Sequence, residues 1–127
     1  PFDLTISRDR VTDETAKVTV LANDHSLLNF PNKIESSDFD GWVQERGLYF
    51  PNKWGKEFTP ILSMHDKGET PKEGSLLVAK YGKGYYMYTG LSFFRELPAG
   101  VAGAYKLFAN MLSIGKENIK VKQEIKE

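Results

Sequence analysis

Cysteine is absent from this chain. That excludes a disulfide framework, a thiolate metal site and a thiol nucleophile. It leaves the redox compartment open, because a cysteine-free domain persists in either kind. An excess of charge is missing too: 17 basic and 17 acidic residues cancel, with a pI near 7.3. A chain so balanced has no general attraction to nucleic acid or anionic membrane. No apolar run approaches the roughly 20 residues that cross a bilayer as a helix. Histidine is scarce, at 2 residues. What remains is ordinary for one globular domain: 127 residues, 40% hydrophobic and 27% charged, enough to bury about two-thirds of the unfolded surface. There is no internal repeat or low-complexity tract. Pro1-Phe2-Asp3-Leu4 lacks the basic start and apolar core of a signal peptide. A start at proline predicts a piece of a longer polypeptide.

Local patterns predict an α/β domain. Leu4 to Val11 alternates as a half-buried strand does, and Lys17 to Leu21 is a second β-branched run that can pair with it as a hairpin. Asn23-Asp24-His25 and Asn29-Phe30-Pro31-Asn32 read as loops. Phe39, Trp42 and Val43 fall at i, i+3 and i+4, which predicts a short helix over 37–46, capped by Ser36 or Ser37 and stopped by a left-handed Gly47. Leu48-Tyr49-Phe50 and Ile61 to Met64 read as short strands. The plainest β signal is Ser75 to Tyr81, Gly82-Lys83-Gly84, then Tyr85 to Gly90, an antiparallel hairpin whose first strand is apolar enough to be covered on both faces. A helix over 99–114 follows Pro98 and ends at Gly115, with Val101, Ala104, Tyr105, Phe108 and Leu112 as its apolar stripe. The expected architecture is a mixed sheet carrying these two main helices. Its core would include Ile61, Leu62, Leu77, Val78, Met87, Tyr88, Val101, Tyr105, Phe108 and Leu112. The domain spans 1–115, and 116–127 is a charged tail or an edge strand.

Chemical motifs are few. His25 and His65 each adjoin an acid, Asp24 and Asp66, but their spacing matches no local metal motif. They could serve a small enzyme only if the two loops converged. Gly90-Leu91-Ser92 lacks the closing glycine of a serine-hydrolase elbow. Gly82-Lys83-Gly84 leads into a strand, whereas a phosphate loop leads into a helix. The aromatics stand out. Trp42, Tyr49, Trp54 and Tyr86 can form a stacking platform if exposed, or fill the core. Arg46 and Arg95 can clamp a carboxylate or form structural ion pairs.

One extended pattern runs through the chain. It covers Asp24-His25-Ser26-Leu27-Leu28-Asn29-Phe30-Pro31-Asn32-Lys33-Ile34 and Asp38 to Phe50, then Leu62-Ser63-Met64-His65-Asp66. It continues through Gly74 to Ala79, Tyr81-Gly82-Lys83-Gly84 and Tyr88 to Val101. Over residues 4 to 115 this resembles the C-terminal region of large PIG-L/LmbE-like deacetylases of Bacteroidetes-type bacteria. In such proteins that region is similar to a class I glutamine-amidotransferase-like, flavodoxin-like α/β domain. The strong hairpin and few strand–helix alternations resemble the later part of such a domain. A sheet edge or face would then be exposed where the earlier part packs.

The resemblance implies a role without chemistry in this chain. The family's zinc motif, His-Pro-Asp-Asp, contains neither His25 nor His65, and amidotransferase relatives use a cysteine. The implied function is a non-catalytic accessory domain of an N-acetylglucosaminyl deacetylase, supporting assembly or glycan substrate binding, with the zinc-dependent catalytic domain elsewhere in the same polypeptide. The alternative is a stand-alone carbohydrate-binding module. The ligand-binding set on either reading is Trp42, Arg46, Tyr49, Trp54, His65, Asp66, Tyr86 and Arg95, with no catalytic residue, metal or cofactor. The partners would be the parent's catalytic domain and a glycan, with no nucleic acid and no membrane span. The family is compatible with a periplasmic or secreted parent.

Overall fold

A computed structural model describes residues 2–116. The elements are β1 (Leu4–Val11), β2 (Thr19–Val20), 3-10 turns at Ser26–Leu28 and Ser36–Phe39, β3 (Gly47–Trp54), β4 (Thr59–Pro60), β5 (Leu62–Ser63), β6 (Leu76–Tyr81), β7 (Gly84–Thr89), α1 (Phe93–Glu96) and α2 (Ala102–Leu112). The fold mixes α and β. However, every strand pair among the described residues is antiparallel, so the expected mixed sheet is replaced by three small sheets: β1–β3, β2–β5 and β4–β6–β7. No helix among the described residues is long and apolar enough to cross a membrane. The part of the tail beyond Lys116 lies outside the described residues.

The β6–β7 hairpin forms as its sequence predicts, with Leu76 opposite Thr89 and Tyr81 opposite Gly84. Gly82 takes φ 58°, the left-handed geometry that tight hairpin turns need and glycine tolerates. β6 is covered on both faces. Leu76 and Val78 join the main core, while Leu77 and Ala79 join a smaller cluster with Phe58, packed by Phe2, Leu4 and Trp54. β1 and β2 do not form a hairpin. β1 pairs instead with β3, a partner of equal length, and the two residues of β2 pair with β5.

Two helix expectations need correction. Over 37–46 only one 3-10 turn forms, closed by a capping box in which the Glu35 N–H donates to Asp38 Oδ2 at 2.7 Å. The chain then leaves helical geometry, with Asp40 extended and positive φ at Gly41 (77°) and Gln44 (67°). Phe39 and Trp42 are buried regardless, so the spacing that suggests a helix reports burial, not periodic backbone. Gly47 is no left-handed stop. It lies in β3, where a Cβ would strike the Gly90 carbonyl and the buried Phe50 ring.

The face of α2 that lies inside also differs from the expected stripe. The buried residues are Gly103, Ala104, Leu107, Asn110 and Met111. Tyr105, Phe108 and Leu112, expected in the core, are 51%, 36% and 68% exposed. Met87 and Tyr88 are half-buried, whereas Ile61, Leu62, Leu77, Val78 and Val101 are buried as expected. Gly103 lets α2 lie against the Asp38 backbone, since a Cβ there would overlap the Asp38 carbonyl. Asn110 sits inside because its amide donates to the carbonyls of Leu27 (2.8 Å) and Asn32 (2.7 Å), while its oxygen accepts the Asn32 N–H at 3.0 Å.

Candidate functional site

The residues singled out by sequence do not form one site, although Trp42 and Arg46 meet, with the guanidinium 5.9 Å from the indole ring. Trp42 is 2% exposed, packed at a tilt against Phe39 and Phe93, with its indole N–H donating to the Asp38 carbonyl at 3.0 Å. Arg46 is equally buried. Its Nε and Nη2 donate to the Ala16 carbonyl at 3.1 and 2.7 Å, and its Nη1 donates to the Phe39 carbonyl. The guanidinium thus latches the loop at Ala16 to the turn at Phe39, and burial lowers its pKa from the ordinary value. Arg95 pairs with Glu45 at 2.8 Å. Trp54 is half-buried and lines shallow hollows at the far end of β3. Tyr86 is exposed, its ring edge-on to Phe58.

The two histidines serve loops. Nδ1 of His25 accepts the Leu27 N–H at 3.1 Å, and Nδ1 of His65 lies 2.8 Å from the Asp66 carbonyl. The Asp66 carboxylate accepts the Thr12 N–H (3.0 Å), the Thr12 hydroxyl (2.9 Å) and the Asp13 N–H (2.8 Å). Burial opposes its charge. The hydrogen bonds and the field of Arg10 outweigh that, and its pKa falls below the ordinary carboxylate value. Among the described residues, no group of three or more His, Asp or Glu side chains is placed to hold a metal.

Trp42 and Arg46 line a hollow of about 210 Å³ with Phe39 and Asp40, and Trp54 lines one of about 300 Å³ with Lys53 and Gly55, while Tyr49 fronts a larger one. The cavity, about 460 Å³, is lined by Arg8, Arg10, Leu48 and Tyr49. Arg8 and Arg10 stand two apart on β1 and so share a side of the strand. Asp9, between them, lines a different hollow with Pro51 and Trp54. Tyr49 holds a backbone that L-residues rarely adopt, with φ 56°, although it lies within β3. The register explains this. From Asp9 opposite Phe50 to Val11 opposite Gly47, β1 advances two residues and β3 three, so β3 carries an extra residue at Leu48-Tyr49.

Neighbouring anchors fix this bulge. The Leu48 N–H donates to the Gly90 carbonyl at 2.9 Å, the Tyr88 hydroxyl to the Tyr49 carbonyl at 3.0 Å, and the Ser7 hydroxyl to the Phe50 carbonyl at 2.5 Å. Phe50 itself is fully buried. The result is a Tyr49 side chain 61% exposed beside two arginines. The ion pairs among the described residues are Arg95–Glu45 and Lys106–Asp38, so neither Arg8 nor Arg10 belongs to one. Zero net charge hides such a local pair. The signal present in sequence is Arg8-Asp9-Arg10 on an alternating strand, which places like charges on one side and the acid on the other.

No protein-family model, curated protein or solved structure matches the chain.

Proposed function

We propose that the chain is a non-catalytic accessory domain of a PIG-L-like deacetylase, and that it holds a glycan-type substrate for a catalytic domain in the same polypeptide. The sequence resemblance motivates the parent. The observation that carries the binding role is Tyr49, a ring held out to solvent over a hollow by a strained and well-anchored backbone. Strain of this kind persists where surrounding structure over-determines it, and it clusters at ligand sites. The hollow's volume also falls in the range of small-molecule sites, about 300–1,000 Å³. The reading frame that encodes the chain supplies the test of the parent. A His-Pro-Asp-Asp motif upstream is the expected result, and its absence overturns the assignment. Zinc-dependent deacetylation by this chain alone would also overturn it.

A stand-alone carbohydrate-binding module is the second reading. The observation that favours it is the exposed Tyr49 ring at the hollow. Its platform shrinks to Tyr49, since Trp42 is buried and Trp54 and Tyr86 lie elsewhere. A reading frame without a deacetylase motif, together with glycan binding by the chain, selects this reading.

A further inference from the structure

We infer that the hollow between β1 and β3 is selective for an acidic sugar, with Arg8 and Arg10 taking its oxyanion and the exposed ring of Tyr49 taking its apolar face. The sugar part rests on the glycan-binding reading above, and the anion part rests on charge and geometry alone. Residues two apart on a strand are separated by about 7 Å, so two guanidinium groups can approach one oxyanion from either side. Guanidinium donors match carboxylate and sulfate oxygens in a fork, and charge-assisted bonds of this type are among the strongest a shallow site can offer.

Compensation inside the molecule is partial, and for Arg10 it comes from the Asp66 carboxylate without an ion pair. Neither arginine is ion-paired among the described residues, and Asp9 lines another hollow. Asp66 lies in the field of Arg10, but its oxygens are turned to three hydrogen bonds from Thr12 and Asp13 and not to the guanidinium. Two like charges on one side of β1 repel, which is a cost unless an anion joins them. A ring-bearing ligand is favoured over an extended acidic peptide for a structural reason. A peptide adding to β1 needs a regular ladder, and β1 departs from regular register at three places. The tyrosine ring and Leu48 offer an apolar floor instead.

The test is calorimetric or NMR titration of the intact chain at low salt. The probes are a uronate-containing disaccharide, a sulfated disaccharide, the neutral disaccharide, inorganic sulfate and an acidic hexapeptide. At least one acidic sugar should bind about tenfold or more tightly than the neutral one, the scale of one charged hydrogen bond. The first two arms decide between carboxylate and sulfate. Arg8→Gln and Arg10→Gln should each remove most of that preference, and Tyr49→Ala should weaken both acidic and neutral sugars. Both arginines are exposed, so an unchanged melting temperature in these variants shows intact folding. Equal binding of neutral and acidic sugars overturns the inference but leaves the glycan reading standing. Tighter binding of the hexapeptide or of bare sulfate than of any sugar overturns the inference, as does an acid preference that survives both substitutions. No sugar binding at all overturns both. Arginine-dependent binding with no deacetylase in the reading frame upholds the inference while the parent assignment falls.

Discussion

The hydroxyl of Tyr88 donates a 3.0 Å hydrogen bond to the main-chain carbonyl of Tyr49. With the Leu48 N–H bond to the Gly90 carbonyl, this contact ties the end of the β6–β7 hairpin to the bulge that fronts the hollow. Tyr88 is half-buried, and burial, with the nearby Tyr86, raises its hydroxyl pKa above the ordinary value. The phenol therefore stays protonated and remains a donor throughout the neutral range. The hairpin, the most regular part of the molecule, thereby stabilises its most irregular strand residue.

Replacing Tyr49 by glycine should separate stability from binding. A left-handed backbone costs a non-glycine residue about 1–2 kcal/mol, and glycine's extra unfolded freedom costs about 0.5–1 kcal/mol. The Tyr49 ring is mostly exposed, so little packing is lost. Tyr49→Gly should leave urea stability unchanged or raise it by about 1 kcal/mol, while sugar binding weakens as it does in Tyr49→Ala. Tyr88→Phe should lower stability by about 1 kcal/mol, one hydrogen bond. A Tyr49→Gly variant destabilised by more than Tyr88→Phe would show that the backbone at this position is not strained.

The two faces of α2 should respond in opposite ways to truncation. Leu107 is 1% exposed and Leu112 is 68% exposed. Leu107→Ala should cost about 2–5 kcal/mol and Leu112→Ala less than about 0.5 kcal/mol. Gly103→Ala adds a test with reversed sign. In an open helix interior this change stabilises by about 0.5–1 kcal/mol. Here the new methyl meets the Asp38 backbone, and a loss of about 1–3 kcal/mol is expected. Thermal unfolding of the three variants decides the matter, and a more stable Gly103→Ala would contradict the close approach.

How far the fold is legible in the sequence follows from the same helix. Strands β1, β6 and β7 announce themselves because alternation or continuous apolar character survives in their residues. The helix at 102–112 announces itself too, but its inner face is disguised. That face carries a glycine and a buried asparagine where a pattern reader looks for leucine, while the outer face carries Tyr105, Phe108 and Leu112. The 37–46 segment fails for the converse reason: Phe39 and Trp42 are buried by a chain turning through left-handed residues, which mimics helical spacing. At the hollow, Tyr49 is visible as an aromatic, but Arg8 and Arg10 become neighbours of it only through the β1–β3 pairing of residues some forty positions apart.

Asn110 turns that disguise into a measurement. Its side chain makes hydrogen bonds with Leu27 and Asn32, all from a fully buried position. Asn110→Leu improves the apolar pattern of the helix and should nevertheless destabilise the domain by about 2 kcal/mol or more. It strands the buried Leu27 carbonyl and the partly buried Asn32 N–H and carbonyl without their partner, at a desolvation cost of about 1–3 kcal/mol for a fully buried group. A Leu variant as stable as the parent in urea would mean that these loops find other partners.

Glu96 should set the upper slope of the pH–stability curve. Its side chain is fully buried, Oε1 accepts the Val43 N–H at 2.7 Å, and Oε2 has no hydrogen-bond partner among the described residues. Burial is the main cause of a pKa raised above its ordinary 4.5; the negative charge of Glu45 adds to it, while the Val43 N–H and Arg46 oppose it. A folded carboxyl with a raised pKa binds its proton more firmly than the unfolded one, so stability falls as pH rises from about 4.5 through the folded value. Asp66 works in the other direction. Its pKa lies below the ordinary 3.8, so the stability it provides is present above that value and lost as pH falls through the folded one. By themselves these two groups favour mildly acidic solution over pH values on either side. Glu96→Gln keeps an acceptor for the Val43 N–H but removes the titration. It should flatten the decline above about pH 4.5 and leave the acid-side loss intact. Urea midpoints measured from pH 3 to pH 8 for both proteins check this, and parallel curves across that range would rule out Glu96 as the titrating group.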